Sequence, residues 1–289
     1  MTLSEQGYVS VEGGRVWYER VGTGPGIPLL VLHGGPGSSH VSLRPLMDLA
    51  DVRSVIFYDQ LGCGKSDRPD DPALWSVDRF VRELAAVRQA LQLDDVHILG
   101  HSWGTMLLCD YLLQRPTGVH GVIFSSPCLS ASRWVADANR YREELPADVQ
   151  SVLVRCEADG TTGDQAYEDA AEAYMNRHVC RVDVSSAERQ AAREVFGKDV
   201  YHAMWGPSEF YPTGSLKTYE RVQDLHEISH AALFTCGEYD EASPASTQHY
   251  HEQVPGSRFE VLAGCSHSPL RENPEPYLKL IRAFLRDTE

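Results

Sequence analysis

Apolar and polar positions change period several times along the chain, and each change marks an element. Residues 8–20 alternate apolar and polar around Glu12, Gly13 and Gly14, which predicts a β-hairpin. Residues 27–32 and 52–58 are largely apolar, β-branched runs of the length expected of buried strands. After Ser76, an N-cap residue, apolar side chains recur at Val77, Phe80, Val81, Leu84, Val87 and Leu91, the spacing of a helix with one buried face. A strand over 96–100, a helix over 104–114 and a strand over 119–124 continue the alternation, in the order that builds a parallel sheet. From about 129 to 224 the pattern changes to helix formers and charge, with no buried strand. Strand patterns return at 231–236 and 259–262, and an amphipathic helix over 276–285 closes the chain. The prediction is an α/β core of residues 1–128 and 226–289, interrupted by a helical cap over 129–225.

Composition narrows the function classes. With 289 residues and 42% hydrophobic content, the chain is long enough for a large buried core. A formal charge of -15, with none of the 26 Lys and Arg in a long basic run, speaks against a nucleic-acid partner and suits a cationic or amine-bearing ligand. No stretch has the length of a membrane span, and MTLSEQGYVS lacks the basic start and apolar segment of a signal peptide, so the expected location is cytoplasmic, without membrane partners. The seven cysteines are scattered and contain no C-x-x-C pair, which predicts small core residues rather than a disulfide framework. Cys265 stands apart because it lies two positions before His267.

The chemistry begins at Gly100, His101, Ser102, Trp103 and Gly104. This G-x-S-x-G pattern lies between a strand and a helix, the setting in which a strained turn presents a serine hydroxyl as a nucleophile. On this turn an α/β-hydrolase needs an acid and then a histidine, each after a later strand. Asp240 in GEYDE follows the 231–236 strand, and His267 in AGCSHSP follows the 259–262 strand. His267 would then take the Ser102 proton and return it to the leaving group, while Asp240 orients the imidazole. The oxyanion would be held by the Trp103 amide and by one from the loop His33, Gly34, Gly35, Pro36, Gly37, with Gly35 as donor. The fold class is therefore α/β, an α/β-hydrolase with a mostly parallel central sheet and an inserted helical cap.

HGGPG, YDQLGCGKSD over 58–67, GHSWG, MWGPSEF over 204–210 and GEYDE together resemble the proline iminopeptidase family of serine aminopeptidases, and most closely its tricorn-interacting aminopeptidase branch. The likeness runs over nearly the whole chain. It implies release of an N-terminal residue from short peptides, or hydrolysis of amino-acid amides, with no cofactor. It also implies that Glu209 and Glu241 bind the substrate's free α-amino group and that Tyr201, with Gly34, lies beside the substrate. Residue pattern alone leaves both glutamates as ordinary solvated carboxylates. A pair of carboxylates around one ammonium would nevertheless explain a demand for a free amine: an N-blocked substrate would strand them, at about 3–5 kcal/mol. Two departures from the family pattern are visible, Thr105 in place of a third glycine and Trp205 in place of a common asparagine. Trp205, inside the motif that carries Glu209, is expected to face the substrate.

Other chemistries fit less well. The chain has 12 histidines but no H-E-x-x-H; His249 and His251 fall on opposite sides of a helix, and His226 with His230 straddle the return to the core, so no metal site is expected. GCGKS over 62–66 lacks the first glycine of a phosphate-binding loop. An ester or carbon–carbon bond hydrolase of the same fold would share the triad without needing the glutamates. A non-catalytic binding protein would be expected to lack part of it. The aromatic residues Trp134, Tyr141, Tyr167, Tyr174 and Tyr211 of the cap are expected to pack it onto the core. The expected partner is a small substrate, and the expected assembly a monomer.

Overall fold

A computed structural model describes residues 3–289. The chain opens with the hairpin β1 (Ser4–Val11) and β2 (Gly14–Val21), which joins β3 (Gly26–Leu32), β4 (Arg53–Tyr58), β5 (Val96–His101), β6 (Val119–Ser125), β7 (Ala231–Gly237) and β8 (Arg258–Leu262) in one eight-stranded sheet. The spatial order is β1-β2-β4-β3-β5-β6-β7-β8. The hairpin and its pairing with β4 are antiparallel; β4, β3, β5, β6, β7 and β8 run parallel.

Burial explains the difference in residue pattern. Leu29 to Leu32, Val55 to Tyr58 and Val122 to Phe124 are enclosed on both faces, so they read as continuous apolar runs. On the edge strand β8, Val261 is 40% exposed and the pattern is mixed. α1 (Val77–Ala90) begins where Ser76 accepts the Arg79 amide on its hydroxyl, as an N-cap does. α2 (Trp103–Leu113) is nearly all buried, which is why it shows no polar face.

Between β6 and β7 the described chain forms five helices and no strand: α3 (Ala131–Arg142), α4 (Ala147–Asp159), α5 (Gln165–His178), α6 (Ser186–Val195) and α7 (Lys198–Met204). This insertion leaves and re-enters the core through paired stems, with the Ala131 amide donating to Tyr219 O (2.8 Å) and the Arg221 amide to Leu129 O (3.0 Å). It has a small core of its own around Leu153, Tyr167, Tyr174 and Phe210. Trp134, Tyr201, Met204 and Trp205 instead join the main core beneath it. A 3-10 segment, Val222–Glu227, runs across the expected boundary at 225. The chain continues through α8 (Pro244–Glu252) and the short α9 (Pro269–Glu272). α10 (Pro274–Asp287) closes it by burying Tyr277, Ile281, Phe284 and Leu285 along one face. All seven cysteines are free. Among the described residues no helix is long and apolar enough to cross a membrane.

Candidate active site

Ser102 sits where β5 turns into α2, with φ +54° and ψ -124°, a left-handed conformation rarely adopted by residues other than glycine. Such a backbone is held at a cost of order 1–3 kcal/mol and is found where function requires it. The flanking glycines permit the turn by close approach. A Cβ on Gly100 would stand 2.3 Å from Gly104 O, and one on Gly104 would stand 2.4 Å from Leu32 O. Thr105, the residue after the elbow, uses its hydroxyl: Oγ1 donates to Ser102 O (2.6 Å) and accepts the Cys128 amide (3.1 Å). The hydroxyl therefore braces the elbow.

Asp240 follows β7 and is fully enclosed. Its carboxylate accepts from the Ser126 hydroxyl (2.6 Å), the Gly237 amide (3.1 Å), the Ala242 amide (2.8 Å) and the His267 ring. His267 Nδ1–H donates to Asp240 Oδ1 at 2.7 Å, which leaves Nε2 as the basic nitrogen. Burial works against a charged His267, but the Asp240 carboxylate outweighs it and raises the imidazole above its ordinary value. His101, whose ring lies 4.8 Å from that of His267, donates from Nε2 to His267 O (2.9 Å) and stays neutral, pushed down to about 3 by burial. Among the described residues no hydrogen bond joins Ser102 Oγ to His267 Nε2, a contact that tightens in many hydrolases only when substrate binds.

The loop after β3 lies against the elbow. Gly35 has φ +110°, and a Cβ there would stand 2.6 Å from the Gly37 and Ser38 amides. A Cβ on Gly34 would stand 3.0 Å from Ser102 Cβ, so Gly34 provides clearance beside the nucleophile. Among the described residues the amides of Gly35 and Trp103 donate to no protein acceptor. Gln60 fixes the two sides relative to one another. Its amide N–H donates to His33 Nε2 (2.9 Å), its side chain donates to His33 O (3.0 Å), and its Oε1 accepts Trp103 Nε1–H (2.8 Å). This role was not read from the sequence, although Gln60 lies in the quoted YDQLGCGKSD segment.

A pocket opens over Ser102, walled by Gly35 and Trp103 from the core and by Trp134, Trp205 and Glu209 from the insertion. Trp205 lines this pocket. Trp134, expected only to pack, does so too: both indoles donate to Glu209 O, at 2.8 Å and 3.2 Å, and the Trp134 ring lies edge-on to His267 at 5.9 Å. Burial raises the Glu209 carboxyl above its ordinary value, opposed by the positive charge on His267 and by the nearby Tyr201 phenol. Glu241 is 1% exposed, and neither of its carboxylate oxygens has a hydrogen-bond partner. Oε1 lies 3.8 Å from His267 Nε2. Burial, then the charges of Glu209 and Asp240, pushes Glu241 well above the ordinary range. The enclosed, unpartnered Glu241 carboxylate and the half-buried Glu209 make this region suited to a positively charged group.

Other candidates fall outside the site. Cys265 Sγ is enclosed and burial pushes the thiol up to about 11, so it is no thiolate. Among the described residues no group of three or more His, Cys, Asp or Glu is placed to hold a metal ion.

The family model described as "alpha/beta hydrolase fold" matches residues 27–274. A proline iminopeptidase of Heyndrickxia coagulans is 49% identical over 282 residues, 97% of this chain and 98% of that protein. The crystal structure of VinJ superimposes with a TM-score of 0.94 at 33% identity, covering 99% of each chain. That of a proline iminopeptidase from Mycobacterium smegmatis superimposes with a TM-score of 0.89 at 32% identity, covering 98% of each. With this fold, this elbow and this extent of similarity, the chain belongs to the proline iminopeptidase family of α/β-hydrolases.

Proposed function

We propose that the protein is a serine aminopeptidase that releases an N-terminal residue, proline or another mainly apolar one, from short peptides or amino-acid amides. The named activity of its 49%-identical relative supports the reaction class. The observation that carries the reading is the enclosed, unpartnered carboxylate of Glu241, with Glu209, beside the Ser102 pocket. The substrate's ammonium would satisfy both carboxylates and place the first peptide bond over Ser102.

In this mechanism Ser102 Oγ attacks the carbonyl carbon while His267 Nε2 takes its proton. Asp240 holds the imidazole in the Nδ1–H tautomer and stabilises the imidazolium. The oxyanion accepts from the Gly35 and Trp103 amides. His267 then gives its proton to the leaving amine. Water, deprotonated by the same nitrogen, attacks the acyl-enzyme, and collapse of the second tetrahedral intermediate frees the amino acid and restores Ser102. The buried Tyr201 phenol lies near Glu209 and favours its charged form, and Trp205 shapes the wall facing the first side chain. The insertion acts as a cap, since it supplies the wall that limits the substrate to its N-terminal end.

The test is kcat/KM for aryl amides of alanine, leucine, phenylalanine and proline against their N-acetyl counterparts. Loss of about 3 kcal/mol of ion pairing predicts that the free-amine form wins by two orders of magnitude or more, and the ranking names the preferred residue. Equal turnover of both forms, or reaction with simple esters alone, would replace this reading with a general esterase.

A further inference from the structure

The last turn of α5 makes polar contacts to the site that neither the triad nor the amine carboxylates account for. A helix ends with carbonyls that have no partner within it. Here the final one, His178 O, accepts two amides at once: Glu241 N–H at 3.2 Å and His267 N–H at 3.2 Å. The two residues come from different loops, after β7 and after β8, so one oxygen of the insertion ties both to a single point. The His178 ring steadies that oxygen. Its Nδ1–H donates to Tyr239 O (2.9 Å), and it stacks on Tyr141 with centroids 4.1 Å apart and planes 16° from parallel.

Three residues on, the same connection grips the histidine loop again. The Arg181 amide donates to Glu272 Oε1 (2.6 Å), and the Glu272 carboxylate also accepts the amide and hydroxyl of Ser266, both at 2.5 Å. The Arg181 guanidinium lies 4.0 Å from the centre of the Tyr239 ring. Loops 238–241 and 265–267 are thus clasped to segment 178–181 from two sides.

We propose that His178 is a positioning residue that clasps the loops of Glu241 and His267 together, so that recognition of the substrate amine and proton transfer share one geometry. The half concerning Glu241 rests on the aminopeptidase reading above; the half concerning His267 does not. A displacement of about 1 Å at a reacting group costs on the order of a hundredfold in rate, so a slack clasp has a measurable effect.

The experiment compares wild type, His178→Ala and His178→Asn, with competent sites counted by fluorophosphonate titration and rates expressed per site. In the asparagine variant the side-chain N–H takes the place of Nδ1–H. For the alanine variant the expected results are a KM for prolyl aryl amide raised severalfold, and both kcat and the rate of fluorophosphonate labelling lowered tenfold or more. The asparagine variant should recover most of each. Per-site rates within twofold of wild type for alanine overturn the proposal, as does an asparagine variant as impaired as alanine, which would assign the ring to packing alone. Should the alanine variant not fold, Glu272→Gln tests the clasp from its other side. Labelling slowed more than threefold supports it and unchanged labelling overturns it. If wild type does not distinguish free from N-acetylated substrates, the aminopeptidase reading and the Glu241 half fall together, while the labelling rate still decides the His267 half.

Discussion

Glu241 and His267 illustrate how position sets the properties of ordinary side chains. Glu241 has no hydrogen-bond partner and is enclosed, so its charge is costly until a cation arrives. Glu241→Gln should therefore lower kcat/KM for a free-amine prolyl amide by roughly a hundredfold, on the scale of a lost buried ion pair, while changing turnover of a neutral ester several-fold at most. Equal losses on both substrates would show that Glu241 serves His267 rather than the amine. For His267 the raised imidazole sets the pH response. Only the neutral ring acts as base, so activity falls as pH drops through its raised value, and the acid limb should lie above the 6.5 of an ordinary histidine. Asp240→Asn removes the charge that raises it. The limb measured on a neutral ester should then move to lower pH, with kcat reduced by about 10⁴.

Among the strands and helices, β5 carries a second consequence of burial. His97, fully enclosed on β5, accepts the Gly121 amide of β6 on Nδ1 at 2.9 Å. Burial first, then Arg53, hold it down to about 4. An unfolded chain protonates this histidine near 6.5, whereas the folded one does so only near 4, so between these values the unfolded state binds more protons. The stability from His97 is fully present above 6.5 and is lost as pH falls from 6.5 to about 4, at up to about 1.4 kcal/mol per pH unit. His97→Gln, which retains an acceptor for Gly121, should flatten the fall in Tm between pH 7 and 5. An unchanged slope would place the acid sensitivity elsewhere.

Across the whole molecule, the insertion depends on its stems. Asp110 of α2 accepts the Tyr219 hydroxyl (2.6 Å) and the Arg221 guanidinium (2.8 Å and 3.1 Å), tying the returning stem to the nucleophile's own helix. Asp110→Ala removes the charged acceptor that joins both to α2, leaving the Tyr219 hydroxyl only Met106 O at 3.2 Å, and should lower stability by about 1 kcal/mol in urea unfolding. Because Trp134, Trp205 and Glu209 reach the pocket from this insertion, KM for a prolyl amide should rise in the same variant. A stability loss with KM unchanged would separate the stems from the pocket wall.

Local pattern was sufficient for what depends on nearest neighbours in the chain. The two-sided burial of β3, β4, β5, β6 and β7 shows as apolar runs, the cap at Ser76 as a serine before a helical period, and the elbow as glycines two residues either side of Ser102, because period and close approach leave a mark within a few residues. The order of Ser102, Asp240 and His267 was legible for the same reason: each follows its own strand. Contacts between distant segments leave no such mark. Nothing near Gln60 indicates that it joins His33 to Trp103, and nothing near His178 indicates that its carbonyl meets Glu241 and His267. Glu241 is the clearest case: as a residue in a sequence it is a charge expected to face water, and only folding encloses it without a hydrogen-bond partner, with the half-buried Glu209 nearby. Sequence alone determined the elements and the chain order of the chemistry. Tertiary structure decided which charges were buried and which carbonyl held two loops, because desolvation and hydrogen bonding across the fold are properties of the packed molecule.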